Sequence, residues 1–376
     1  MAGIYIHVPW CRQVCIYCDF HFSVSLRNKR ELLECLIKEI ELQKRYLGKE
    51  KISSVYFGGG TPSVVEAAGL SKILDKLLSV FNFSSSTEIT LEANPDDLSF
   101  VYLKDLKNIG VNRLSIGIQS FVDDHLVWMN RRHNSKQSLL SIENSINAGF
   151  DNINIDLIYG LPGMQNSEWD ENLRIAFSNK INHLSAYHLT LENKTVYSYR
   201  VSKGIMEKPD DYHGIEQYEM LMEFAESKGF IQYEISNFCL PGSYSVHNTS
   251  YWQQKPYLGI GPSANSYNGS SRQWNHRNNS LYIKKINERI IPCEIEKLSL
   301  NQKYNEYILT SLRTMWGVSE DLINARFGKK YLEYFIRESE KLIKNGRLEK
   351  VNDIVRLSGK GKFFADGIIS ELFWVD

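Results

Sequence analysis

The feature that most constrains the fold of this 376-residue chain is an alternation of short β-rich runs with longer helical segments in its first half. Short runs of β-branched and aromatic residues between turns are typical of buried strands, and apolar residues three or four apart indicate amphipathic helices. The alternation of the two predicts an α/β fold, with a parallel sheet covered by helices. We place six strands at residues 3–7, 54–57, 88–92, 113–118, 152–159 and 183–189.

Polar turns that carry glycine or proline follow most of the predicted strands. They lie at residues 58–62, 92–95, 119–121 and 160–163. Ligands bind at the carboxyl ends of parallel strands in barrels and open α/β sheets, so these turns should surround one site. A cysteine-rich loop follows the first strand and belongs to the same rim.

The sequence pattern changes after residue 195 and again near residue 295. A helical stretch at 211–228 leads towards a glycine-rich, aromatic segment at 251–267. Beyond it, helical segments and a hairpin at 347–357 are compatible with a winged-helix-like unit. We therefore predict a core at 1–195, a barrel extension at 196–295 and a small C-terminal domain at 296–376.

The charge balance narrows the classes of partner. Lys plus Arg equals Asp plus Glu, at 44 each, which gives no general attraction to nucleic acid or anionic lipid. The amino terminus lacks the features of a secretory signal, and no run approaches the ~20 apolar residues of a membrane helix. We expect a cytoplasmic protein without an integral membrane segment or a nucleic-acid partner, and peripheral membrane association stays open.

Three of the six cysteines fall within eight residues, at Cys11, Cys15 and Cys18. Such crowding without a secretion signal favours metal ligation in a reducing compartment over a disulfide framework. A structural zinc site normally has four protein ligands, whereas three thiolates can hold a 4Fe-4S cube with one iron left free. Zinc with His7 or His21 as the fourth ligand remains the alternative.

A cube held in this way can take the amino and carboxylate groups of S-adenosylmethionine on its free iron, and its electron can then cleave the sulfonium. The glycine turn at 58–60 permits close backbone approach and offers N–H groups to such a ligand. Glu92 ends an apolar strand, where its carboxylate could accept hydrogen bonds from ribose hydroxyls. Gln119, Arg131 and Asp156 follow on later strands, although each alone could be a cap or a surface ion pair.

Five segments resemble, in order and spacing, the radical S-adenosylmethionine family and its branch of oxygen-independent coproporphyrinogen III oxidases. The segments are residues 5–11, the cysteine loop, 58–63, 113–121 and 154–163. This resemblance implies a partial (β/α)6 barrel that carries a 4Fe-4S cluster on the three cysteines. It implies an S-adenosylmethionine pocket lined by Tyr5, Tyr17, Gly59, Gly60, Thr61, Glu92, Gln119, Arg131 and Asp156.

Within that branch the chain is most similar to the HemW family of heme chaperones. The dehydrogenase members carry a fourth cysteine two residues after the third, and here that position is Phe20. They also have an amino-terminal extension, whereas the first predicted strand here begins close to Met1. The segment His247-Asn248-Thr249-Ser250-Tyr251-Trp252 matches a motif that is associated with heme binding in that family.

The resemblance implies a binding protein that takes up heme as cargo and passes it to an acceptor, such as a respiratory-chain protein. It implies His247 as a heme ligand, since imidazole is a common axial ligand and aromatic rings pack against a porphyrin. The alternative is an enzyme, a radical oxidative decarboxylase of coproporphyrinogen III, and RNA modification is a third class. Other candidate heme ligands are His125, His133, His183, His188, His276 and Cys239.

Overall fold

A computed structural model of the chain describes residues 1–375, and its first half alternates strands with helices as the sequence pattern predicted. All six predicted strands are present. These elements are β1 (Ala2–Val8), α1 (Lys29–Leu42), β2 (Ile52–Gly59), α2 (Ala67–Val80), β3 (Phe83–Ala93), α3 (Phe100–Asn108), β4 (Arg113–Gln119), α4 (Asp123–Trp128), α5 (Ser135–Asn147), β5 (Ile153–Tyr159), α6 (Asn166–Ser178) and β6 (His183–His188).

The middle of the chain adds short strands and helices to both edges of the same sheet. The predicted helix at 211–228 is present as α8. The elements are α7 (Val196–Ser202), α8 (Asp211–Ser227), β7 (Ile231–Gln232), β8 (Asn237–Cys239), α9 (Val246–Trp252), β9 (Tyr257–Ile260), β10 (Asn265–Tyr267), β11 (Ser271–Asn275), α10 (Asn279–Asn287) and β12 (Cys293–Lys297).

These strands form one sheet in the order β12-β11-β10-β9-β1-β2-β3-β4-β5-β6-β8-β7. The strands from β9 to β6 in this order are parallel, and the outer strands at both edges are antiparallel. No pairing joins the two edges within residues 1–375, so these strands form an open sheet and not a closed barrel. The α/β prediction is confirmed.

The helices bury the apolar faces that their spacing predicted. Leu32, Leu36 and Ile40 of α1 are buried, and Leu70 and Leu77 of α2 are buried in the same way. Strands β1 and β5 are buried along almost their whole length, as expected for parallel strands covered on both faces. The sheet therefore holds its carboxyl ends in fixed positions.

A buried carboxylate joins the middle of the chain to the first half. Glu39 on α1 accepts hydrogen bonds from the Gly261 N–H and the Asn275 Nδ2, each at 2.8 Å. It also accepts from the hydroxyl of Tyr282 and, at 2.8 Å, from the Nε2 of Gln43. Burial raises the pKa of Glu39, and these four donors oppose the shift. The network fixes the strands beyond β8 against α1.

The C-terminal segment packs around a separate apolar core. Its three strands are β13 (Val318–Ser319), β14 (Leu348–Val351) and β15 (Ile354–Leu357). They form an antiparallel sheet in the order β13-β15-β14, and β14 and β15 make the predicted hairpin. No helix within the described part of the chain is long and apolar enough to cross a membrane. The α-helices of the segment are α11 (Leu300–Leu312), α12 (Glu320–Phe327), α13 (Lys329–Lys344) and α14 (Ala365–Glu371).

Candidate functional site

The carboxyl ends of the parallel strands surround a cavity of about 550 Å³, which we call the cluster cavity. The register brings these ends together, since Val8 lies opposite Gly59 and Tyr159 lies opposite His188. All predicted site residues except Tyr5 and His247 line this cavity. They are Cys11, Cys15, Tyr17, Cys18, Gly59, Gly60, Thr61, Glu92, Gln119, Arg131 and Asp156.

The cysteine loop is held by backbone hydrogen bonds and by donors to its sulfurs. The Cys11 N–H donates to the Ser23 carbonyl at 3.1 Å, and the Cys18 N–H donates to the Cys15 carbonyl at 3.3 Å. The Thr61 hydroxyl lies 3.4 Å from the Cys11 Sγ, and the Arg131 Nη1 lies 3.1 Å from the Cys15 Sγ. Hydrogen bonds to the charged form favour thiolates, so these donors suit metal-ligating cysteines.

The thiols themselves are held partly out of water. Burial raises the pKa of the Cys11 thiol and raises that of Cys18 to about 12. The neighbouring cysteines raise the pKa of Cys18 further, which places the three sulfurs within electrostatic reach of each other. These two thiols are therefore protonated at neutral pH unless a cationic metal centre displaces the protons.

Zinc was the alternative occupant for the three cysteines. No group of three His, Cys, Asp or Glu side chains among residues 1–375 could hold one metal ion. Of the two histidines considered for zinc, His7 has both ring nitrogens bonded, to the Tyr5 hydroxyl at 3.2 Å and the His21 carbonyl at 2.9 Å. The His21 Nε2 bonds the Asn279 Oδ1 at 2.7 Å.

Arg131 brings a positive charge to the cavity wall. Its Nη2 donates to the Gly117 carbonyl at 2.7 Å and also to the Asn94 Oδ1. Its Nε is buried and has no hydrogen-bond partner among the described residues. Because a buried donor without a partner costs free energy, Arg131 has one N–H that a bound ligand could satisfy.

Two carboxyl groups face the same cavity. Glu92 accepts from the Tyr56 hydroxyl at 2.8 Å and from the Gly59 N–H at 3.1 Å. Burial raises the pKa of Glu92 to about 7, and the charge of Asp156 acts in the same direction. Burial also raises the pKa of Asp156, although the Asn154 Nδ2 donates to it at 2.8 Å. A cationic or hydroxyl-bearing ligand would stabilise both carboxylates.

The expectation that the glycine turn offers its N–H groups to a ligand is wrong. The Gly59 N–H donates to Glu92, the Gly60 N–H donates to the Val8 carbonyl at 2.9 Å, and the Thr61 N–H donates to the Trp10 carbonyl at 2.6 Å. A Cβ on Gly60 would lie 2.6 Å from the Trp10 oxygen. The glycines instead let the turn pack directly on the backbone of the cysteine loop.

Tyr5 and His247 lie outside the cluster cavity. Tyr5 lines a neighbouring cavity of about 430 Å³ and its hydroxyl lies 3.2 Å from the His7 Nδ1. His247 is 1% exposed, and its Nδ1 and Nε2 bond the Ser54 hydroxyl at 2.9 Å and the Tyr251 hydroxyl at 2.8 Å. Burial lowers the pKa of His247 to about 3. Axial ligation by His247 would break one of these bonds, and it stays a prediction.

The structure also adds cavity residues that the sequence reasoning missed. They include Asn94, Ser115, Asn130, Arg132, Tyr187 and Thr190. Tyr187 could have been found from its position at the end of the sixth predicted strand. Among the other histidines, His183 has both ring nitrogens bonded, to the Asn154 Oδ1 and the Tyr233 hydroxyl. His188 lines the cluster cavity, and its Nε2 has no partner within residues 1–375.

Comparison with known proteins identifies the family. Residues 5–176 match the Radical SAM superfamily, and residues 298–364 match the HemN C-terminal domain. The protein named heme chaperone HemW from Bacillus subtilis (strain 168) is 34% identical to this chain, over 98% of each chain. The chain belongs to the HemW family. The HemW of Mycobacterium tuberculosis (strain ATCC 25618 / H37Rv) is 31% identical, over 98% of this chain and 94% of its own.

A solved structure supports the fold of this HemW-family chain. The coproporphyrinogen III oxidase HemN from Escherichia coli, described as a radical SAM enzyme, superposes with a TM-score of 0.85 at 20% sequence identity. The match covers 99% of this chain and 90% of the other. At this identity the likeness shows a common fold. The sequence-based prediction of a HemW-like radical SAM protein is confirmed.

Proposed function

We propose that this chain is a heme chaperone that takes up heme and passes it to an acceptor protein. The observation that carries this proposal is the similarity, over 98% of each chain, to a protein named heme chaperone HemW. The position of Phe20, where the dehydrogenase pattern has a fourth cysteine, supports the same choice. Its ring is 67% exposed and lines both the cluster cavity and the neighbouring cavity.

In this proposal Cys11, Cys15 and Cys18 hold a 4Fe-4S cluster. When bound, such a cluster supplies an electron to the sulfonium of S-adenosylmethionine. Thr61 and Arg131 donate to the sulfurs of the ligating cysteines and stabilise their thiolate form. We assign the S-adenosylmethionine contacts to residues that line the cluster cavity, namely Tyr17, Gly59, Gly60, Thr61, Glu92, Gln119, Arg131 and Asp156. Tyr5, which lines the neighbouring cavity, completes the set that the family resemblance implies.

Glu92 and Asp156 act as acceptors in the S-adenosylmethionine site. Both carboxyl groups have raised pKa values because they are buried, so a positively charged or hydroxyl-bearing partner lowers the cost of their ionisation. Arg131 lies on the same wall and balances their charge. The site therefore binds and orients its ligand, and we assign no catalytic residue.

In this proposal the segment that begins at His247 takes part in binding heme. Tyr251 and Trp252 of this segment line the cavity next to the cluster cavity, and His247 lies behind them and bonds the Tyr251 hydroxyl. The acceptor is a protein, such as one of the respiratory chain, in the cytoplasm or at the membrane surface. S-adenosylmethionine and the cluster regulate or assist uptake and release.

The experiment that separates a chaperone from an enzyme is an anaerobic turnover assay. The reconstituted protein is incubated with coproporphyrinogen III, reductant and S-adenosylmethionine, with Escherichia coli HemN as the positive control. We expect no protoporphyrinogen from this chain, and we expect heme loaded on it to move to an apo-hemoprotein. Protoporphyrinogen formation that disappears in Cys15→Ala would instead establish the dehydrogenase alternative.

A further inference from the structure

The cavity of about 430 Å³ beside the cluster cavity, which we call the aromatic cavity, has the properties of a ligand site. Ligand pockets typically enclose roughly 300–1,000 Å³ and are lined by apolar and aromatic side chains. The rings of Tyr251 and Tyr257 meet edge to face at 4.5 Å, and Tyr267 lies 6.2 Å from Tyr257. Tyr5, Phe20 and Trp252 complete an aromatic lining, which suits a flat apolar ligand.

Two arginines and one glutamate, Glu306, line this aromatic cavity, which leaves it a net positive charge. Arg277 is exposed and has no ion pair within the described part of the chain. The Arg272 Nε lies 2.9 Å from the Glu306 Oε1, but it is not aligned for a hydrogen bond. Guanidinium groups bind carboxylates with paired hydrogen bonds. The combination of aromatic walls and two guanidinium groups therefore fits a flat ring system that carries two carboxylates.

The aromatic cavity adjoins the cluster cavity through Phe20 and Tyr5. Phe20 lines both cavities, and Glu92 of the cluster cavity bonds the Tyr56 hydroxyl. The Tyr56 ring stacks on His247 at 4.9 Å, and His247 bonds the Tyr251 hydroxyl. His247 is therefore a positioning residue here, because it fixes Tyr251 at the wall of the aromatic cavity and has no free ring nitrogen.

His7 and His21 line the aromatic cavity, and of the two only His21 has a ring nitrogen without a hydrogen-bond partner among the described residues. Both nitrogens of His7 have partners, the Tyr5 hydroxyl and the His21 carbonyl. The His21 Nε2 bonds the Asn279 Oδ1, and its Nδ1 has no partner among residues 1–375. A metal-ligating histidine usually has its other ring nitrogen fixed by an oxygen acceptor, as Asn279 fixes His21.

We propose that the aromatic cavity binds the tetrapyrrole, with its two carboxylates on Arg272 and Arg277 and with His21 facing the iron. This inference rests on the proposed heme-chaperone function and locates its binding site. Phe20 covers the edge of the ring that is nearest to the cluster cavity. The site lies beside the S-adenosylmethionine pocket, and Tyr5 and Phe20 form the boundary between the two.

The test is a titration of the full-length, cluster-reconstituted protein with hemin and with metal-free protoporphyrin IX. The double variant Arg272→Gln/Arg277→Gln should weaken binding of both porphyrins by about tenfold or more, because two charged hydrogen-bonded contacts are lost. Arg45→Gln is the matched control, since Arg45 is exposed and lines neither the cluster cavity nor the aromatic cavity. It should bind both porphyrins like the wild type.

The histidine variants test the iron contact separately. His21→Ala should shift the Soret band and weaken hemin binding, but leave the affinity for metal-free protoporphyrin IX unchanged. His247→Asn should weaken binding of both porphyrins without moving the Soret band, as expected for a positioning residue. A Soret shift in His247→Asn and none in His21→Ala would overturn the assignment of His21.

Failure of this inference can be told apart from failure of the proposed function. If the wild type binds no heme, the chaperone proposal itself is wrong. If the wild type binds heme and the double arginine variant binds it equally well, the function stands and the aromatic cavity is not the site. Iron and sulfide contents equal to those of the wild type confirm that each variant is folded around its cluster.

Discussion

Substitution of Glu92 by glutamine tests the electrostatics of the cluster cavity. The pKa of Glu92 is raised to about 7, chiefly by burial, against the opposing hydrogen bonds from Tyr56 and Gly59. Raising the pKa from 4.5 to about 7 corresponds to about 3 kcal/mol against the charged form. Because Glu92 faces the cluster cavity, solvent screens part of its charge. We therefore expect a measurable effect of about 2 kcal/mol on the free energy of unfolding.

The direction of the pH dependence follows from the raised pKa. The folded protein binds the Glu92 proton more tightly than the unfolded chain does. The protonated side chain therefore contributes to the free energy of unfolding, and this contribution is fully present below pH 4.5. It is lost as the pH rises through about 7. Glutamine cannot ionise, and its amide can still pair with the Gly59 N–H and the Tyr56 hydroxyl. Glu92→Gln should therefore gain stability relative to the wild type as the pH rises.

Denaturant unfolding of the cluster-free, reduced protein between about pH 5 and pH 8.5 measures this difference. The free energy of unfolding of Glu92→Gln minus that of the wild type should increase by about 2 kcal/mol over the range. Glu226→Gln, at an exposed position of α8, is the control and should show no such trend. A difference that is independent of pH, or that falls with pH, would refute the electrostatic account.

Two further substitutions test the packing of the site. Gly60→Ala places a methyl group 2.6 Å from the Trp10 carbonyl oxygen and must displace the cysteine loop, so iron bound per chain should fall by about half or more. Gly367→Ala, with nothing within 4 Å of the added Cβ, should retain the wild-type iron content. Glu39→Ala removes the acceptor of four buried hydrogen bonds and should lower the free energy of unfolding by about 3–5 kcal/mol. Glu34→Ala on the same helix should cost less than about 1 kcal/mol in the same denaturant measurement.

The parallel core and the cluster cavity could be predicted because both depend on local patterns. Runs such as β1 and β5 are apolar along their length, and the polar residue at the end of each strand must lie near those of its neighbours in the same register. This geometry brings Glu92, Gln119 and Asp156 to one cavity although they are far apart in sequence. Strand ends were therefore a reliable guide to the cavity wall.

The aromatic cavity could not be predicted, because its wall comes from segments that only the antiparallel edge strands bring together. Tyr5, Phe20, Tyr257 and Arg272 share no local pattern, and β9 to β12 are only three to five residues long. The expectation that the glycine turn has free N–H groups for a ligand was also wrong. A turn's hydrogen-bond partners depend on what packs against it, and here the carbonyls of Val8, at the end of β1, and of Trp10, just before the cysteine loop, accept from the N–H groups of residues 60 and 61.

The most direct test of whether this chain carries heme beside a cluster is to titrate heme into the reconstituted protein. The iron and sulfide contents of the protein are measured first. We expect about four iron atoms and about four sulfides per chain on Cys11, Cys15 and Cys18. We then expect saturation at about one heme per chain, with a defined Soret band and no loss of sulfide. The absence of saturable heme binding to the cluster-loaded protein would contradict the account.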